Sequence, residues 1–112
     1  MTVIQYRRSA ERPSLQLWLL DDDGDLIDFS TGYTFQLKIG TVGSAALLTK
    51  TLGITGDTGS GTEPTGTPNI TVSWSTGELD LAPSVYDWEL TCNTAATDRV
   101  FAGRIRIVDI IT

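Results

Sequence analysis

The stretch that decides the fold is LDLAPSVYDWEL, residues 79–90, which continues into Thr91 and Cys92. From residue 85 onward, large apolar side chains alternate with polar ones, and the apolar set is Tyr86, Trp88, Leu90 and Cys92. A period of two is typical of a strand that buries one face in a core. The alternation therefore predicts a strand over residues 85–92.

The approach to this strand carries a second signal. Leu79, Pro83 and Tyr86 are arranged like the tyrosine corner of immunoglobulin-like sandwiches, in which a tyrosine hydroxyl bonds back to the backbone a few residues upstream. The alternative is that Tyr86 is one more core aromatic. Pro83 and Tyr86 are thus predicted structural residues of such a corner.

Similar alternation recurs on both sides of this segment. Further strands are predicted over residues 2–6, 14–20, 33–39, 46–52, 69–75 and 99–110. The clearest of them, YTFQLKI at 33–39, directs Tyr33, Phe35, Leu37 and Ile39 inward, and Asp23-Gly24 predicts a tight hairpin turn. We expect a single all-β domain over residues 1–112, an immunoglobulin-like β-sandwich of about seven antiparallel strands, with a small Greek-key barrel as the alternative.

Two stretches interrupt this pattern. Residues 53–68 (GITGDTGSGTEPTGTP) are rich in Gly, Thr and Pro and predict a long flexible loop. At residues 76–81, Thr76 is placed to cap one short helical turn.

Composition limits the partners. The net charge of −6 disfavours contact with nucleic-acid phosphates. No apolar run approaches the roughly 20 residues that cross a bilayer, so no membrane insertion is expected. The lone Cys92 cannot form an internal disulfide, and no signal peptide is recognised, so folding in a reducing cytoplasm is expected.

Positive charge concentrates near the two ends of the chain. Arg7, Arg8 and Arg12 lie near the start, and Arg99, Arg104 and Arg106 lie near the finish. If the ends run side by side, these residues form one basic patch; otherwise they are ordinary solvated charges. Segment 1–13 is predicted to be a docking arm, with Arg7, Arg8 and Arg12 as partner-binding residues.

Histidine, on which many catalytic sites depend, is missing. Its absence removes Ser-His and Cys-His nucleophile pairs, and Cys92 lies on the apolar side of its strand. Residues 21–28 (DDDGDLID) do not match the EF-hand loop and predict a polar turn, although bound calcium stays an open alternative. We expect no enzymatic activity, no catalytic residues, no cofactor and no metal site.

Tryptophans are candidates for a sugar-binding platform. Trp74 and Trp88 lie on the apolar faces of predicted strands, which favours core packing. Trp18 opposes the leucine face of its strand and is therefore a candidate residue for contact with a partner or a ligand.

The order of motifs resembles a known family. An apolar strand, the Asp-Gly turn, LIDFSTG at residues 26–32 and the strand at 33–39 are followed later by Leu81, Pro83 and Tyr86. This progression is similar to the N-terminal immunoglobulin-like domain of bacteriophage baseplate upper proteins and related tail accessory proteins. The resemblance covers most of residues 15–107, through short, turn-like motifs.

The resemblance implies a function in assembly. It suggests a non-enzymatic virion structural protein, a minor tail or baseplate component that assembles in the cytoplasm of the host bacterium. Its partners would be other tail proteins and copies of itself. The alternatives are a carbohydrate-binding or host-surface adhesion module that holds a host glycan, and a capsid decoration protein.

Overall fold

Eight strands form where short runs of apolar side chains alternate with polar ones. The computed structural model describes residues 4–10, 12–30, 32–63, 65–94 and 98–108. The strands are β1 (Ile4–Arg7), β2 (Leu15–Leu17), β3 (Thr34–Gly40), β4 (Leu48–Lys50), β5 (Ile54–Gly56), β6 (Ile70–Val72), β7 (Ser84–Asn93) and β8 (Asp98–Val108). Thr2 and Val3 of the predicted first strand, Thr31 of the Thr-Gly turn and residues 109–110 of the predicted last strand lie outside the described residues.

The strands form two separate sheets, one ordered β1-β8-β7-β3-β4 and the other β2-β6-β5. This arrangement confirms the all-β sandwich and is not the single closed sheet of a barrel. The eight strands of the described residues agree with the predicted number of about seven. One detail of the prediction is wrong: β1 runs parallel to β8, whereas the other strand pairs that the structure describes are antiparallel.

The core lies between the sheets, and β7 supplies more of its buried side chains than any other strand. The four side chains predicted to face inward from β7, Tyr86, Trp88, Leu90 and Cys92, are all buried. From β3, Leu37 and Ile39 are buried as predicted, whereas Tyr33 and Phe35 are half-buried and pack against the margin of the core. Trp88 needs room from the neighbouring strand, and Gly103 faces it in register. A Cβ on Gly103 would lie 2.7 Å from the Trp88 ring, so only glycine fits there.

The crossover into β7 is fixed by Tyr86. Its hydroxyl donates a hydrogen bond to the carbonyl oxygen of Ala82 at 2.5 Å, four residues upstream. This is the contact that the tyrosine-corner prediction required. Pro83 lies between the two, exposed, in the bend that leads into the strand.

The prediction of one long loop over residues 53–68 is wrong in its first part. Ile54–Gly56 forms β5, an edge strand that pairs with β6. Gly56 packs so closely that an added Cβ would lie 2.5 Å from the carbonyl oxygen of Phe29. Farther along, Ser60 and Thr67 exchange backbone hydrogen bonds of 2.9 and 2.7 Å. The sequence pattern did not predict β5, because three residues are too few to show alternation of apolar and polar side chains and because β6, its pairing partner, lies farther along the chain.

Part of the segment predicted as a docking arm, residues 1–13, is built into the fold, because Ile4–Arg7 forms β1 and pairs with β8; residues 1–3 and 11 lie outside the described residues. Tyr6 on β1 is only 3% exposed and packs edge-on against Trp74 at 5.7 Å between ring centroids. Burial raises the pKa of the Tyr6 hydroxyl. The expectation of an arm with few core contacts is therefore wrong for β1.

One buried polar side chain joins three parts of the chain. Asn69 is fully buried, and its Nδ2 donates to the carbonyl oxygens of Leu19 at 3.0 Å and Ile27 at 2.9 Å. Its Oδ1 accepts a hydrogen bond of 2.9 Å from the amide of Leu19. The Asn69 side chain therefore supplies hydrogen-bond partners to backbone groups of Leu19 and Ile27, which lie beyond the end of the short strand β2.

A buried ion pair connects β4 to the turn after β6. Lys50 Nζ lies 2.7 Å from Glu78 Oε1, and the two side chains are 4% and 19% exposed. The same carboxylate oxygen accepts a 2.5 Å hydrogen bond from the amide of Ser75. Residues 76–79 accordingly form a hydrogen-bonded turn and not the predicted helical turn capped by Thr76. The apolar character predicted for strand 46–52 is also limited, since Leu52 is exposed and Lys50 is buried.

Candidate interaction surface

The side of the five-stranded sheet that points away from the core carries a patterned set of side chains. We call it the outer face. It consists of the even-numbered residues 100–106 of β8, the odd-numbered residues 85–91 of β7, and Gln5, Arg7 and Lys38 from β1 and β3. We call residues that lie side by side on neighbouring strands a row. Gln5, Arg106 and Val85 form one row, and Arg104 and Asp87 form the next. Ala102, Glu89 and Lys38 form the third.

Parallel pairing places the first described strand, β1, beside the last, β8. Arg7 therefore lies on the same face as Arg104 and Arg106, and all three are exposed. This confirms part of the predicted basic patch. Arg99 is excluded because it faces inward at the far end of β8, opposite Cys92 in register.

The other two arginines predicted to bind a partner do not lie with Arg7 on β1. Arg8 Nε is 2.8 Å from Asp80 Oδ1, and this hydrogen bond and the arginine charge lower the pKa of Asp80. Arg12 is exposed in the connection between β1 and β2. The structure thus leaves Arg7 on the outer face and engages Arg8 with the turn after β6.

Charges of opposite sign are neighbours on this surface. Arg104 Nε lies 3.8 Å from Asp87 Oδ1, with the side chains 68% and 42% exposed, and Lys38 is opposite Glu89 on the adjacent strand. Exposed pairs of this kind contribute at most about 1 kcal/mol to folding. Their effect on orienting a binding partner is greater, because charge complementarity selects the partner and its register.

Apolar side chains are exposed among these charges. Val85 is 46% exposed and Val100 is 58% exposed, and neither valine was singled out by the sequence analysis. The other sheet is different on its outer side, where Gln16, Thr71 and Thr55 form a polar row. Of these residue types, arginine is enriched at protein interfaces, and the exposed valines add apolar area that a partner can cover.

A groove lies on the outer face, at the end next to the turn between β3 and β4. The turn TVGSAA, residues 41–46, encloses it against Lys38, Asp87, Glu89 and Ala102, and its volume is about 500 Å³. Val42 in this turn is 88% exposed. Gly43 adopts a φ of +85°, a left-handed conformation that suits glycine and lets the chain reverse here.

The aspartate-rich turn uses carboxylates to organise its own backbone. Asp21 Oδ1 accepts hydrogen bonds from the amides of Asp23 at 2.9 Å and Asp25 at 3.1 Å, and Leu20 bridges to Leu26 across the turn. Hydrogen bonds from Ser30 lower the pKa of Asp28. The predicted polar hairpin turn is confirmed. Within the ranges that the structure describes, no three His, Cys, Asp or Glu residues form a group that could hold a metal ion.

The tryptophans and Cys92 complete the set of predicted candidates. Trp74 and Trp88 are core residues, as predicted. Trp18 directly follows β2 and is half-buried; its Nε1 is enclosed and makes no hydrogen bond with the described residues. A role for Trp18 in binding a partner or a glycan stays a prediction. Burial raises the pKa of the Cys92 thiol to about 11.

Comparison with family models, with curated proteins and with solved structures found no match to this chain. No helix in the described part of the chain is long and apolar enough to cross a membrane.

Proposed function

We propose that this chain is a non-enzymatic structural protein of a bacteriophage virion, a minor tail or baseplate component. In this proposal it works by protein-protein contact through the outer face. The observation that carries the proposal is the combination of exposed valines with charges of both signs on one face of the five-stranded sheet.

The composition of the outer face supports a protein partner. Val85 and Val100 offer apolar area, and arginine is among the residues enriched at protein interfaces. Asp87 beside Arg104 and Glu89 beside Lys38 present charges of both signs, which suits a partner with a matching charge pattern.

The resemblance in motif order supports the choice of a virion partner. The Asp-Gly turn, the LIDFSTG segment and the tyrosine corner follow one another as in the domains of baseplate upper proteins. In this proposal the neighbour is another tail protein, and the protein joins the particle in the host cytoplasm.

The test is incorporation into particles. Phage particles would be purified by density gradient from the strain that encodes this chain and analysed by peptide mass spectrometry. We expect this protein in the particle fraction at a fixed ratio to the other tail proteins. Its absence from particles, with abundant protein free in the same lysate, would overturn the proposal.

A variant separates the surface from the fold. Arg104→Glu combined with Val100→Glu changes two exposed side chains and is expected to abolish incorporation with the fold retained. The matched control is Gln16→Glu on the outer side of the other sheet, which should incorporate normally. Normal incorporation of the double variant would show that the outer face is not the contact surface.

A further inference from the structure

We propose that the outer face binds a second copy of this chain, through a twofold axis that runs along the boundary between β7 and β8. This inference deepens the proposed function and rests on it for the surface involved, since it names a partner of the outer face. It follows from how the charges are distributed over neighbouring strands.

The charge pattern of the outer face is self-complementary. In face-to-face packing about this axis, β8 of one copy lies over β7 of the other, with equivalent rows in line. Because Arg104 and Asp87 occupy one row on adjacent strands, Arg104 of each copy faces Asp87 of the other. The pair within each chain is loose, at 3.8 Å, so both side chains can reach across without breaking a close contact.

The apolar side chains fit the same arrangement. Val85 lies in the row of Arg106, so it meets the methylene groups of Arg106 from the second copy. Val100 lies in the row of Thr91 and meets the methyl-bearing side chain of that residue. An axis across the strands at the Arg104 row would instead place β8 over β8 and bring the Arg104 side chains of the two copies close together, which like-charge repulsion disfavours.

The size of the surface sets the expected strength. Four strand spacings of about 4.8 Å and seven residues of about 3.4 Å give roughly 450 Å² per copy. This area is smaller than the roughly 800 Å² per partner of a standard stable interface. We therefore expect a reversible dimer with a dissociation constant on the order of 10–100 µM.

Sedimentation equilibrium of the full chain from 1 µM to 1 mM tests this inference. We expect a monomer–dimer equilibrium that weakens at least tenfold when salt is raised from 0.05 to 0.5 M, because exposed charge pairs are screened. Arg104→Glu and Asp87→Arg should each weaken the dimer at least tenfold. The double variant Asp87→Arg/Arg104→Glu, which exchanges the charges, should restore it, and the control Gln16→Glu should leave it unchanged.

Two results would overturn the inference. One is a monomer at every concentration, and the other is association that neither single variant weakens. Near-ultraviolet circular dichroism establishes that each variant is folded before it is scored. The inference and the proposed function can fail separately: a protein that enters particles but stays monomeric at 1 mM refutes the dimer alone.

Discussion

Replacing Asn69 with alanine removes three hydrogen bonds from a fully buried site. The change leaves the amide of Leu19 and the carbonyl of Ile27 without their partner, whereas the carbonyl of Leu19 keeps its hydrogen bond from the amide of Ile27. Each buried backbone group that loses its partner costs about 1–3 kcal/mol. Water that enters the vacated space will satisfy part of this loss, so we expect a fall of about 4 kcal/mol in the free energy of unfolding.

This loss is large for a domain of this size. A chain of 112 residues is typically stable by roughly 6–17 kcal/mol. A fall of about 4 kcal/mol corresponds to a decrease of roughly 15 °C in Tm. Urea titration followed by the fluorescence of the buried Trp74 and Trp88 measures the change. A loss below about 1 kcal/mol would refute the assignment of Asn69 as an essential buried link.

Two further variants sharpen this test. Ser73→Ala is the control, because Ser73 is exposed and directly follows β6. Its free energy of unfolding should stay within about 0.5 kcal/mol of that of the parent protein. Asn69→Asp places a carboxylate oxygen against two carbonyl oxygens, which raises the folded-state pKa of the new carboxyl. Its stability should therefore be highest below the unfolded pKa of about 3.9 and fall as pH rises through the folded-state value. Equal stability of this variant at pH 4 and pH 7 would contradict the reasoning.

Three other predictions concern the buried groups. Glu78→Met leaves the Lys50 ammonium buried without its carboxylate and should lower the free energy of unfolding by about 3 kcal/mol. Lys50→Met/Glu78→Met should be more stable than Glu78→Met alone. If urea titration shows that the free-energy losses of the two single variants simply add in the double variant, the pair is not coupled. Because burial raises the pKa of Cys92 from 9.0 to about 11, its contribution to stability is complete below pH 9 and is lost as pH rises from 9 to 11. Cys92→Ala should reduce that alkaline loss, and an unchanged alkaline profile would refute the assignment. Gly103→Ala forces a methyl group to within 2.7 Å of the Trp88 ring and should lower the free energy of unfolding by about 1–3 kcal/mol. Unchanged stability in urea titration would show that β7 and β8 accommodate the methyl group without loss of stability.

Much of the fold could be predicted from local patterns. Alternation located β7 to within one residue at each end and identified its four buried side chains, and the Asp23-Gly24 dipeptide marked a hairpin turn. The position of Tyr86 after Pro83 indicated the crossover that its hydrogen bond to Ala82 now explains. Each of these signals spans no more than about a dozen residues, so a single strand or turn is enough to express it.

The candidate surface was predicted only in part. The concentration of arginine near both ends indicated a basic patch, but which arginines share a face depended on the register of β1 against β8. Arg7 joins Arg104 and Arg106 there, whereas Arg8 pairs with Asp80. The exposed valines were missed because Val85 and Val100 occur in strands whose alternation resembles that of any half-buried strand.

Local alternation is enough to indicate where most strands begin, many of their buried side chains and the all-β class, because these properties follow from side chains a few residues apart. The parallel pairing of β1 with β8, the existence of β5 and the partners of buried Asn69 depend instead on how the sheets assemble. Asn69 and Leu19 are 50 residues apart in the chain. Such contacts arise when the two sheets pack and bring distant backbone groups together, and no local pattern encodes that meeting.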